Sequence, residues 1–230
     1  MGEDFYRRAM ETGMQTTYRQ RSDRASIGVL IYEGVEPIDI GGTVGVVSMA
    51  SRVLPFVEAH AIAARSGPVR LAGGLSVIAA YGIDMAPPCD VTIVCGGPGW
   101  GAASHDTALL AYLRGLRPEA VASVCTGAMI LSAAGILDGR AATTRRHAVG
   151  AETTAPLTLL GASGAVRTTV AGVVDSTVVT GGGVSLAIDT TLYLLGRLYG
   201  PDAAAEIARV IEYDRALAAN QQALGIVQAR

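Results

Sequence analysis

Residues 120–128 read Ala120-Val121-Ala122-Ser123-Val124-Cys125-Thr126-Gly127-Ala128. The run 120–124 is short and apolar and reads as a buried strand, whereas 126–134 reads as a helix. A strand that turns sharply into a helix at one residue lifts that side chain over the sheet edge. The same turn sets backbone N–H groups and a helix N-terminus beside it, which lowers a thiol pKa and stabilises an oxyanion. The hydrolase elbow G-x-S-x-G becomes Ser123-x-Cys125-x-Gly127, with a small residue kept at the first position. A structural cysteine at the end of a central strand has similar local sequence, since free cysteine is among the most buried residue types. The elbow context favours Cys125 as a nucleophile with a lowered pKa.

Strands and helices alternate on both sides of this elbow. Strands are expected at 27–32, 57–64, 91–95, 120–124, 140–144 and from 178. Helices are expected at 40–54, 106–116, 126–134, 149–160, 186–198 and 202–213. One hairpin is expected between 69–71 and 76–80, around Ala72-Gly73-Gly74, and a second between 165–170 and 173–174. This order implies an α/β three-layer sandwich, a mostly parallel sheet with helices on both faces. Residues 1–25 are polar, lack the apolar run of a secretory signal, and are expected to form an N-terminal extension with a helical turn near 5–10. Residues 26–230 contain no repeat or low-complexity linker and are expected to form one domain.

Composition narrows the class. The 230 residues suffice for one large core, and 50% apolar with 17% charged residues fits a soluble globular protein. Aromatics are only 5%, so the core is built from Ala, Val, Leu and Ile. A net charge of −2 gives no electrostatic footing for nucleic acid or an anionic membrane. The uncharged stretch 120–137 is long enough to be considered as a span, but its small and polar residues divide it into a strand and a helix. Three cysteines without framework spacing argue for a reducing compartment, the cytoplasm.

Asp39, in Pro37-Ile38-Asp39-Ile40, follows the first strand at the sheet edge where Cys125 emerges. It is either a helix N-cap or a carboxylate that accepts the thiol's hydrogen bond and moves a proton. Cys95-Gly96-Gly97-Pro98-Gly99-Trp100-Gly101-Ala102 matches a loose dinucleotide pattern, but no acid ends the next strand to hold a ribose. The better reading is a turn at Gly96, Gly97 and Gly99 whose N–H groups face Cys125 and form part of an oxyanion site. Gly181-Gly182-Gly183 reads as close packing. His60, His105 and His147 have no metal-ligand spacing, and no metal is expected. His105 reads as a surface or capping residue, and His147, just past a short strand, lies toward the pocket. Arg145-Arg146 is either a solvated basic pair or a grip for an acidic group of the substrate.

Together these residues resemble the ThiJ/PfpI superfamily, the class I glutamine amidotransferase-like fold of flavodoxin-like architecture. The most specific part is Ser123–Arg140, SVCTGAMILSAAGILDGR, followed by Ala142-Thr143-Thr144. Within the superfamily the sequence is most similar to the isocyanide hydratase group, through Ile38-Asp39-Ile40-Gly41-Gly42, Cys125-Thr126-Gly127, TGGGVSLAID at 180–189 and Ile211-Glu212-Tyr213. The resemblance implies Cys125 as nucleophile, Asp39 as its acid partner that handles water, Thr126 as a hydroxyl beside the thiol, and backbone donors from Gly97 and its neighbours. It implies hydration of a small-molecule isocyanide to an N-formamide without a cofactor, by a homodimer. Two departures stand out. Thr126 replaces the His common in the protease-like and glyoxalase-like branches, and Thr144-Arg145-Arg146 replaces the usual Thr-His-Trp. Two other readings follow from the same superfamily. One is a ligand-sensing domain related to AraC-type regulators but lacking their DNA-binding half, because the residues after 198 are few and not basic. The other is a thiol-dependent carbonyl or redox protective protein.

Overall fold

The computed structural model describes residues 17–229. β1 (Ala25–Leu30) leads into α1, where Pro37–Ile40 and Val46–Ala50 are joined by a π-helical turn at Gly41–Gly45. β2 (Val57–Ala63), the β3–β4 hairpin (Gly67–Arg70 and Ser76–Ala79) and β5 (Tyr81–Gly82) precede β6 (Val91–Val94). α2 (Trp100–Ala103) and α3 (Thr107–Gly115) lead to β7 (Val121–Ser123) and then α4 (Gly127–Ala133). β8 (Ala141–Ala142), α5 (Pro156–Ala162) and β9 (Arg167–Thr168) follow. After β10 (Val173–Ser176) and β11 (Val178–Gly181) come α6 (Ala187–Tyr199), α7 (Pro201–Val210), α8 (Asp214–Ala223) and β12 (Ile226–Gln228).

Eight strands form one sheet in the order β12-β10-β11-β7-β6-β1-β2-β5. Every neighbouring pair is parallel except β10–β11. The central strands β6, β7 and β11 are buried at every position, without the alternation of a sheet wetted on one side. Two layers of helices account for this. α1, α6 and α7 pack on one another, and α4 packs against α2, α3 and α5. Ile27, Leu30, Ile31, Ile93 and Leu131 are fully buried in the core between them, and each such side chain contributes about 1.5–3 kcal/mol. From β1 the sheet grows in opposite directions, toward β2 and toward β6. In open α/β sheets that reversal opens a crevice at the carboxyl ends of the strands, and the segments carrying Asp39, Gly96 and Cys125 emerge at that edge.

Three expectations are corrected. The second hairpin joins β10 to β11 through Thr177 at φ 80°, while β9 pairs in parallel with β8. The helix expected over 149–160 starts only at Pro156, because proline fits a helix's first turn and holds Ala155 extended. The helix expected over 202–213 ends at Val210, and Glu212 takes φ 53° before the unanticipated α8 and β12. Of the extension expected at 1–25, residues 1–16, including the turn near 5–10, lie outside the described residues. Its later part is fastened down. Both guanidinium nitrogens of Arg19 donate to the Asp90 carboxylate at 2.8 and 2.6 Å, and the Tyr199 hydroxyl donates to Asp23 O at 2.9 Å. Among the described residues no helix is long and apolar enough to cross a membrane.

The elbow is packed so closely that only glycine fits after it. A Cβ on Gly127 would lie 2.0 Å from the carbonyl oxygen of Val94, in backbone that cannot yield. Gly127→Ala is therefore expected to lower unfolding free energy by about 3 kcal/mol, measured by urea denaturation. A loss near zero would mean that β6 and α4 are not in register as described.

Candidate active site

Cys125 takes φ 50°, a left-handed backbone that non-glycine residues adopt at a cost. Several hydrogen bonds hold it there. Val124 N–H donates to Val94 O at 3.0 Å, and Cys125 N–H to Gly182 O at 3.0 Å. The Thr144 hydroxyl donates to Cys125 O at 2.6 Å. The thiol is 3% exposed, and the N–H groups of Val184 and Thr126 point at its sulfur. Val184 is itself left-handed at φ 52°, a rarity for a β-branched residue. Two unfavourable backbones thus meet at one sulfur.

Asp39 lies inside the first turn of α1, where Glu36 holds the N-cap position, so the cap reading does not apply. The carboxylate is fully buried. Its Oδ2 accepts Gly96 N–H at 2.7 Å, while Oδ1 has no hydrogen-bond partner in good geometry and the group faces the Cys125 thiol. Burial pushes Asp39 up to about 7, against the pull of Gly96 N–H, and the nearby Glu36 adds to the rise. Burial likewise pushes the Cys125 thiol up to about 11, and the Asp39 charge raises it further. The lowered thiol pKa expected of an elbow is thus overturned. Desolvation outweighs the Val184 and Thr126 N–H groups and the charge of Arg145. Near neutrality the site holds a protonated thiol against a carboxyl group close to its own midpoint. That pairing suits proton transfer between them.

The glycine turn serves the carboxylate more than the thiol. Gly96 N–H goes to Asp39, Gly97 N–H to the Thr126 hydroxyl at 2.9 Å, and Gly99 N–H to Gly34 O at 3.2 Å. The Thr126 side chain braces that turn, and the Thr126 backbone N–H is what reaches the sulfur. The donors at the thiol come instead from Thr126 and from Val184, which the sequence did not single out. Gly181-Gly182-Gly183 packs closely as expected and also brings Val184 into place.

Arg145 is not a solvated residue; it is 9% exposed. Its Nη2 meets Glu152 Oε1 at 2.5 Å, Nη1 donates to His147 O, and its charge acts on Cys125. Its stem lies on Gly183, where an added Cβ would be 2.9 Å from Arg145 Cγ. Arg145, Arg146 and His147 line a cavity of about 290 Å³ with Gly182–Leu186 and residues of the 143–144 and 170–171 segments. His60 stacks edge-on with Tyr81, and His105 Nδ1 bonds to Gly101 O, while Asp106 caps α3. Among the described residues no cluster has the makings of a metal site. Glu152 carried no signal in the sequence, because its partner is set by the path of the 146–155 loop.

An α/β sheet with a cysteine in a left-handed strand–helix elbow, facing a buried carboxylate, defines the class. A family model described as the DJ-1/PfpI family matches residues 25–150, and the chain belongs to that family. It is 33% identical over 189 residues to the isonitrile hydratase of Pseudomonas putida, covering 81% of this chain and 78% of that protein. It is 28% identical over 201 residues to the HTH-type transcriptional regulator GbdR of Pseudomonas aeruginosa, covering 85% of this chain but 53% of the regulator. A ThiJ/PfpI family protein from Pseudomonas syringae superimposes with a TM-score of 0.69 at 26% identity, covering 89% of this chain and 81% of that one.

The raised Asp39 pKa has a measurable consequence. The unfolded carboxyl releases its proton near pH 4 and the folded one near 7, so between these values the native state holds a proton that the unfolded state has lost. Stability contributed by this group therefore falls as pH rises through that window. Asp39→Asn keeps an acceptor for Gly96 N–H but carries no charge. It is expected to melt above the wild type at pH 8, with a smaller gap at pH 5. An equal gap at both values would show that Asp39 is not the titrating group.

Proposed function

We propose that this chain is a cysteine-dependent hydratase that adds water to a small carbon–nitrogen electrophile, an isocyanide, and releases an N-formamide. The observation that carries the reading is the buried Asp39 carboxylate beside the Cys125 thiol, with its Oδ1 left without a hydrogen-bond partner. The similarity to isonitrile hydratase supports the choice of substrate. Asp39 takes the thiol proton as sulfur attacks the terminal isocyanide carbon, and the proton is returned to that carbon, giving a thioimidate, R–N=CH–S–Cys125. Water, deprotonated by Asp39, then adds to the same carbon while the nitrogen is protonated. Collapse of the tetrahedral adduct breaks the C–S bond, releases R–NH–CHO and returns the proton to the thiolate. The Val184 and Thr126 N–H groups stabilise the sulfur anion at both ends of this sequence.

Conversion of isocyanide to formamide, followed by the formyl proton in NMR, tests this reading. Cys125→Ser is expected to abolish turnover, and Asp39→Asn to cut it by about a hundredfold or more. A second reading, a ligand-sensing domain, draws on the similarity to GbdR. It predicts that a ligand is bound and not consumed, and that Cys125→Ser still binds it.

The same reading takes the protein as a single-domain cytoplasmic homodimer. The exposed apolar side chains Ile38, Leu75, Ile78 and Met85 support association of two copies. Light scattering is expected to give twice the 23.5 kDa chain mass at micromolar concentration. A monomer mass would count against the dimer.

A further inference from the structure

The cavity beside the elbow has an unusual charge balance. Among the described residues, Arg145, Arg146 and His147 line it, no carboxylate does, and its remaining polar groups are hydroxyls, an Asn220 amide and backbone. Two of its wall residues are bonded to the Cys125 backbone: Thr144 to the carbonyl oxygen and Gly182 to the N–H. A third, Val184, directs its N–H at the sulfur. Cys125 itself does not line the cavity; the Arg145 guanidinium joins the two, since it lines the cavity and also interacts with the Cys125 side chain. Arg145 is the part of this wall that needs a reason. The residue as a whole is 9% exposed, its stem packed on Gly183, and a guanidinium held this close to the protein interior is costly unless it is paired. Its partner, Glu152, comes from the more open 146–155 loop and keeps a third of its own side chain exposed. Glu152 also accepts Val149 N–H at 2.9 Å through its other oxygen, which keeps the carboxylate in the loop when it lets go of the arginine.

We infer that Arg145 is an anion anchor: the ligand of this site carries a carboxylate, which takes the place of Glu152 on the Arg145 guanidinium and holds the reacting carbon at Cys125. The exchange costs little, because one carboxylate replaces another on the same planar fork. Glu152 is a placeholder that keeps the buried charge paired while the site is empty. This rests on the hydratase reading for the name of the substrate, an isocyanide bearing a carboxylate, but the anchor itself does not depend on that reaction.

Alkylation of Cys125 separates the two. Iodoacetate and iodoacetamide deliver the same carbon to sulfur, one with a carboxylate and one with an amide. In both, the S–C bond forms as iodide leaves, with the thiol proton passing to Asp39 or to solvent. Rates at Cys125, read by peptide mass mapping and divided by those of N-acetylcysteine, are expected to favour iodoacetate by on the order of tenfold. Arg145→Gln, checked for a native melting curve, should erase that preference, and Glu152→Gln should increase it. For turnover, Arg145→Gln should raise KM for a carboxylated isocyanide about tenfold more than KM for a neutral one. An unchanged alkylation ratio in Arg145→Gln overturns the anchor, as does a Cys125 inert to both reagents. Should Arg145→Gln fail to fold, an unchanged ratio in Glu152→Gln overturns it as well. A preference for iodoacetate with no hydration of any isocyanide removes the hydratase reading and leaves the anchor standing.

Discussion

The left-handed backbone of Cys125 is the constraint on which the site depends. A single residue at φ 50° costs on the order of 1–3 kcal/mol, and it persists only where neighbours fix it from several sides. Here the fixing groups come from three segments distant in sequence: Val94 at the end of β6, Gly182 after β11, and Thr144 after β8. The turn therefore depends on β6, β7 and β11 lying side by side. Its close-packed glycines follow from the same demand. Gly96 would drive a Cβ to 2.8 Å from Cys125 Cβ, so β6 can lead past the elbow only with hydrogen at that position.

Burial that positions these groups also sets their protonation. With Asp39 fully buried and Cys125 nearly so, water cannot stabilise either anion, and both pKa values rise. An exposed elbow cysteine would be a thiolate at rest. This one is a thiol at rest, beside a carboxyl group whose own rise brings it near neutrality. The two groups oppose each other's ionisation, since the Asp39 charge raises the thiol further. Gly96 N–H on Asp39, and the Val184 and Thr126 N–H groups on sulfur, offset part of each rise.

What the sequence revealed, and what it hid, divides along the range of the interactions. Ser123-x-Cys125-x-Gly127 was readable because the elbow is local: a strand, a turn and a helix within a few residues. Asp39 and the Gly96–Gly99 turn were readable as neighbours because β1 and β6 end at one edge of the sheet. The rise in thiol pKa was not, since it depends on how completely α1 and the 182–186 segment close over the sulfur. Val184 was hidden for a related reason. Nothing in a valine announces a positive φ, and its place is set by glycines that leave it no other path. The β10–β11 hairpin turns at Thr177, again with no Gly, Asn or Pro to mark it. In α8 few apolar side chains face inward, Leu217 being its buried residue, so the period that betrays a helix is faint.

A sheet edge that offers a nucleophile, a carboxylate and backbone donors can host hydration, sensing or thiol protection, so fold alone does not choose among them. The choice lies in residues that differ between relatives while the elbow stays. In this chain the cavity wall just after Thr144 carries two arginines, Arg145 and Arg146. Thr144 bonds to the Cys125 carbonyl oxygen, whereas the Arg145 side chain turns to the cavity wall. It gives the cavity wall a cation paired to Glu152. The catalytic geometry and the recognition surface are joined at a single peptide bond, between Thr144 and Arg145, yet they answer to different constraints. The first is fixed by backbone strain and hydrogen bonds. The second rests on the pairing of the Arg145 guanidinium, which in this structure is with Glu152.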